Sequence, residues 1–143
     1  MFVNTMKILG IDPGSTLMGW GLIESEKGNL KVLEYGVLKI RAKNLPEKLL
    51  ELSSELQKLL KRAKPELAGL EKLFFAKNKK TAFEVAHARG VILLELLRAN
   101  MPVVELTPAE IKVAATGYGN SDKQMVAKMV SKILNIKKLE YDD

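Results

Sequence analysis

Lys7-Ile8-Leu9-Gly10-Ile11-Asp12-Pro13-Gly14 is the stretch on which the fold turns. Its aliphatic run is too short for a helix and is stopped by Asp-Pro-Gly, so it reads as a buried strand with an acid where the chain leaves the core. A second stretch, Ala68-Gly69-Leu70-Glu71-Lys72, repeats the arrangement 59 residues later. Asp142 and Asp143 close the chain. Carboxylates gathered at strand ends in an otherwise basic protein suggest a metal-dependent enzyme acting on a polyanion.

Working outward, Leu17 to Glu24 reads as a second strand, and Glu26 to Asn29 as a turn. Leu30 to Arg41 is a third strand, and the short connections predict an antiparallel meander. Leu45, Leu49, Leu52, Leu56, Leu59 and Ala63 share one face of a long helix. Asn44 is its expected N-cap, with Glu47 three residues on, and Pro65 closes it. A fourth strand, Leu67 to Leu70, precedes a second helix, Thr81 to Arg98. In that helix Ala82, Ala86, Ala88 and Gly90 permit close packing, while Ile92, Leu93, Leu96 and Leu97 supply bulk. Met101 to Leu106 is a fifth strand. Thr107-Pro108-Ala109-Glu110 has capping-box form and opens a short helix ending near Gly117. Ser121 and Gln124 repeat the capping pattern before a last helix with Met125, Val126, Met129, Val130, Ile133 and Leu134 on one face. The order β-β-β-α-β-α-β-α-α predicts an α/β fold, a five-stranded mixed sheet flanked by helices. If strand four lies parallel to strand one, Asp12 and Glu71 emerge side by side.

The chain has 143 residues and a net charge of +6, which fits one domain and an anionic partner. A solvated lysine-rich surface is the alternative explanation of the charge. There is no cysteine and a single histidine, so disulfides and thiolate metal sites are excluded and a zinc site is not expected. No run approaches the ~20 apolar residues of a membrane span, and no signal-peptide pattern opens the chain. Cytoplasmic residence is expected.

Taken together, several stretches resemble one family. They are Ile8-Leu9-Gly10-Ile11-Asp12-Pro13-Gly14-Ser15, Glu71-Lys72-Leu73-Phe74-Phe75-Ala76-Lys77-Asn78, Ala88-Arg89-Gly90-Val91, and Ile111-Lys112 through Gly117, Gly119 and Lys123. In this order they resemble RuvC, the bacterial Holliday junction resolvases of the ribonuclease H-like superfamily, collinearly from Met6 to Asp143. The resemblance implies a single ribonuclease H-like nuclease domain over residues 1–143. It implies a crossover junction endodeoxyribonuclease that cuts four-way DNA junctions by paired symmetric nicks in recombination and repair. It also implies a homodimer and the RuvA–RuvB branch-migration complex as partner.

The family's last acids are spaced Asp-Ala-Ala-Asp at the start of a final helix. Asp143 best matches the first of them, with Asp142 just before it. The chain is therefore expected to be a truncated form lacking that helix, and to be inactive if the fourth ligand is needed.

Phosphodiester hydrolysis by two Mg²⁺ ions, for which Mn²⁺ can substitute, suits oxygen ligands. The resemblance assigns Asp12 to bridge both ions, Glu71 to bind one and Asp143 to help complete the site. It places Phe74, Lys112 and Lys123 on the DNA, Phe74 by stacking on a base, while Lys77 is expected to meet the DNA backbone because it lies in an acid-free run of lysines after Glu71. From residue type alone, Asp12 is equally a turn residue, Glu71 a solvated strand end, and Asp142 and Asp143 a frayed acidic tail. His87 reads as a packed or half-exposed helix residue. Three rivals stand beside the resolvase. A sugar-kinase-like phosphate binder would need a second lobe, for which 143 residues leave no room. The others are another ribonuclease H-like nuclease on RNA or hybrid, and a non-catalytic junction-binding module.

Overall fold

Both edges of the central strand are occupied, and this decides what the sheet can present. A computed structural model describes residues 4–72 and 79–137. The strands are β1 (Thr5–Asp12), β2 (Leu17–Glu26), β3 (Asn29–Lys39), β4 (Leu67–Glu71) and β5 (Val103–Leu106). The helices are α1 (Leu45–Ala63), α2 (Lys79–Arg98), α3 (Pro108–Thr116) and α4 (Lys123–Ile133). The sheet order is β3-β2-β1-β4-β5. β1 pairs antiparallel with β2 and parallel with β4, and β4 pairs parallel with β5. The expected element order and mixed sheet are therefore observed.

Strand alternation splits the sheet into two faces. Leu9, Ile11, Ala68 and Leu70 are buried together with Leu52, Leu56, Leu59, Ile92 and Leu96 of α1 and α2. Asp12 and Glu71, one residue beyond Ile11 and Leu70, therefore project from the opposite face. β2 and β3 meet at the two-residue turn Lys27-Gly28, where both residues have positive φ (48° and 83°). That matches the turn type whose twist suits a hairpin, and glycine carries the second position without strain.

The long helix caps as expected, Asn44 Oδ1 accepting from the Glu47 amide at 3.0 Å. Thr107 Oγ1 likewise accepts from the Glu110 amide at 3.0 Å. Capping of α4 differs. Asp122, not Ser121, is the N-cap, its Oδ1 accepting from the Met125 amide at 2.8 Å. Ser121 Oγ is already bonded to Thr116 Oγ1 and to the Tyr118 carbonyl, so it is unavailable to the helix. The apolar face of α4 also differs, since Ala127 and Ser131 are its buried residues while Met125 and Ile133 are exposed.

In α2 the small residues divide between two faces. Ala82 and Ala88 are buried, Ala86 and Gly90 exposed, and Leu97 lies outward, as do Phe83 and Leu94. Buried Glu95 accepts from Ser53 Oγ and Gln57 Nε2, both at 3.0 Å, and so pins α2 to α1. His87 is exposed, its Nδ1 2.8 Å from the Phe83 carbonyl. Phe74, Phe75, Lys77, Asp142 and Asp143 lie outside the described residues.

Candidate active site

Register places the acids. Ile11 pairs with Leu70 in the parallel β1–β4 ladder, so Asp12 and Glu71 are the next residues along two adjacent strands and share a face. Their carboxyls are within hydrogen-bond reach. Gly19, opposite Asp12 on β2, leaves the space beside the aspartate open; a Cβ there would lie 3.5 Å from Asp12 Cβ.

The Glu71 carboxyl is pushed up from 4.5 to about 7. Burial contributes most, followed by its hydrogen bond to Asp12 and the charge of Asp12; the ammonium of Lys112, on α3, acts in the opposite direction. Below about pH 7, where Glu71 keeps its proton, its O–H can donate to Asp12, a pairing that one extra proton permits.

A folded-state value above the unfolded one means that the native state holds the proton more tightly. Stability therefore falls as pH rises from about 4.5 to about 7, and the penalty is complete above that range. Glu71→Gln removes it. Metal-free Glu71→Gln protein is expected to be more stable than wild type by about 1–2 kcal/mol at pH 8, screening by solvent at this half-buried position included, with no gain at pH 4. Urea unfolding in EDTA at the two pH values measures the difference. An equal shift at both would show that the carboxylate pair is not the source.

The loop carrying Asp12 is tied down on the opposite side. Ser15 Oγ, buried, donates to Glu84 Oε2 at 3.2 Å, and Lys48 Nζ lies 3.8 Å from the same oxygen and 3.5 Å from Thr16 Oγ1. The Ile40 amide donates to the Thr16 carbonyl at 2.8 Å. α1, α2 and the end of β3 thus fix residues 15 and 16. Among the expected site residues that the structure describes, Lys112 is near enough for its charge to act on Glu71. Lys123 is exposed in the first turn of α4, where the acidic cap Asp122 already occupies the Met125 amide that a phosphate would use. Arg89, within the Ala88-Arg89-Gly90-Val91 run, donates to the Glu71 backbone carbonyl; its position mid-helix gives no sign of this.

Among the described residues, no three His, Cys, Asp or Glu side chains converge. The acidic pair nonetheless fits a hard divalent cation. Two oxygen donors that repel each other without a proton are satisfied when a cation replaces it.

A five-stranded mixed sheet with acids at the ends of its two central parallel strands is the architecture of a ribonuclease H-like nuclease. The family model for crossover junction endodeoxyribonuclease RuvC matches residues 8–142, and the chain belongs to that family. It is 43% identical over 139 residues to the RuvC of Syntrophomonas wolfei, covering 96% of this chain and 81% of that one. The Chloroflexus aurantiacus RuvC is 42% identical, covering 96% and 85%. Thermus thermophilus RuvC solved with a Holliday junction substrate superposes with a TM-score of 0.86 at 29% identity, covering 96% of this chain and 84% of that one. The yeast mitochondrial Holliday junction resolvase Ydc2, at 16% identity and a TM-score of 0.71, covering 94% and 63%, shares the fold.

Proposed function

We propose that this chain is an endonuclease that resolves four-way DNA junctions, with Asp12 and Glu71 holding the Mg²⁺ ions its chemistry uses. The observation that carries the reading is the meeting of these two carboxyls, beside Lys112, across the parallel β1–β4 pair. When bound, such ions polarise the scissile phosphate and activate water. The residues supply the rest. Glu71 would have to give up the proton it holds towards Asp12 before both carboxylates could ligate a cation, so the pair is readier to hold one as pH rises towards and past about 7. Lys112 places one ammonium where a phosphate would approach, offsetting repulsion between the acids and DNA. Asp143, Phe74 and Lys123 keep the roles that family resemblance gives them, as a further ligand and as DNA contacts, and Lys77 keeps the backbone contact that its charge suggests.

Paired nicks call for two sites. Phe83, His87, Gly90, Leu94 and Leu97 form an exposed stripe along α2 at alternating four- and three-residue steps, with Ala86 exposed next to it. A second copy of the chain is the occupant this reading assigns to it. A monomeric protein at junction-cleaving concentration, seen by sedimentation, would remove that assignment.

The functional test is cleavage in Mg²⁺ of a synthetic four-way junction, a linear duplex, a single strand and an RNA–DNA hybrid. Symmetric nicks confined to the junction are expected. Preferential hybrid cleavage would make the protein another ribonuclease H-like enzyme. Tight junction binding without cutting would make it a binding module.

A further inference from the structure

The backbone of Glu71 is held from beneath by a side chain with no assigned role. In the β4–β5 ladder the amides of Ala68 and Lys72 donate to the carbonyls of Pro102 and Leu106, so even-numbered residues of β4 face β5. Odd-numbered residues, Glu71 among them, face β1. A parallel ladder continuing past Ile11 and Leu70 would offer the Glu71 carbonyl the amide of residue 13. That residue is Pro13, which has none. The β1–β4 pairing indeed stops at Ile11 and Leu70.

Arg89 of α2 supplies the missing donor. Its Nε donates to the Glu71 carbonyl at 3.2 Å, and its Nη2 donates to Glu105 Oε1 at 2.7 Å. Glu105 pairs with Leu70 in the β4–β5 ladder, so one planar guanidinium spans the ends of two strands. The Arg89 side chain is only 18% exposed, so its fork is held in one geometry by packing as well as by the ion pair. A lysine in its place has a single nitrogen to offer both acceptors.

We propose that Arg89 is a positioning residue for the Asp12–Glu71 pair, fixing the strand end from which Glu71 projects so that both carboxylates meet one cation. The inference rests on the metal-site reading given above. Groups that orient a metal ligand without touching the metal typically contribute about 10–100-fold in affinity or activity.

The test is Mn²⁺ binding followed by electron paramagnetic resonance, with circular dichroism and junction binding measured in EDTA on the same samples. Arg89→Lys is expected to raise the Mn²⁺ dissociation constant about tenfold, while thermal unfolding moves by only a few degrees and junction affinity stays within about twofold. Glu105→Gln, which keeps an acceptor but frees the guanidinium, is expected to give a smaller increase of about threefold. If Arg89→Lys does not fold, Glu105→Gln decides alone. Wild-type Mn²⁺ affinity in a folded variant, while Asp12→Asn abolishes binding, overturns the role of Arg89 and leaves the site intact. Wild-type Mn²⁺ affinity in Asp12→Asn itself overturns the site and this inference with it.

Discussion

Asp12→Asn or Glu71→Gln should each lower four-way-junction cleavage by about a thousandfold or more. Either change keeps the shape of the side chain and removes one of two anionic donors that face each other across β1 and β4. A cation held by both loses charge neutralisation as well as a ligand, and the neutral amide is a weaker oxygen donor. Lys112 remains in place, and loss of a negative charge beside the backbone of DNA lowers repulsion. Junction affinity, measured by gel shift in EDTA, should stay the same or tighten slightly. Cleavage at the wild-type rate by either variant would contradict the assignment. Loss of binding together with cutting would show that the acids serve the fold.

The second large effect is expected at Gly14. A Cβ there would stand 2.0 Å from the Leu17 carbonyl oxygen and 3.1 Å from its carbon. Both are backbone atoms at the start of β2, so no rotamer change relieves the overlap. Ser15 and Thr16 cannot yield freely either, because they are bonded to Glu84, Lys48 and the Ile40 amide. Gly14→Ala is therefore expected to cost about 3 kcal/mol or more in urea unfolding. It should also move Asp12 and reduce cleavage. Gly69→Ala is the matched control. It lies between Ala68 and Leu70 on β4, where an added Cβ meets nothing within 4 Å, and its cost should stay below about 1 kcal/mol. Equal stability of the two variants would mean that the β1–β2 loop can open without penalty.

Local chemistry made much of this legible in advance. Asn44 with Glu47 and Thr107 with Glu110 marked helix starts because the capping bond is made within four residues. The strand ends at Asp12 and Glu71 were legible because Pro13 and the short aliphatic runs leave few alternatives. What stayed hidden depends on partners distant in sequence. Ser121 and Asp122 are both good caps, and only the engagement of Ser121 by Thr116 and Tyr118 selects Asp122. The two faces of α2 carry similar small and aliphatic residues, so periodicity could not say which one the sheet covers. Arg89 carries no local mark at all, because its acceptors come from β4 and β5. The candidate site was legible in its acids and in Lys112, and hidden in the groups that steady them.

The parallel pairing of β1 with β4 also orders events during synthesis. Residues 5–39, the meander, leave the ribosome well before β4 does, and the β1 edge that will receive β4 stays open meanwhile. That edge belongs to a strand carrying Ile8, Leu9 and Ile11, and an unpaired apolar edge invites pairing with other chains. Closing it and bringing the two acids together are one event, so the nascent chain loses its most adhesive border at the moment the pair comes into being.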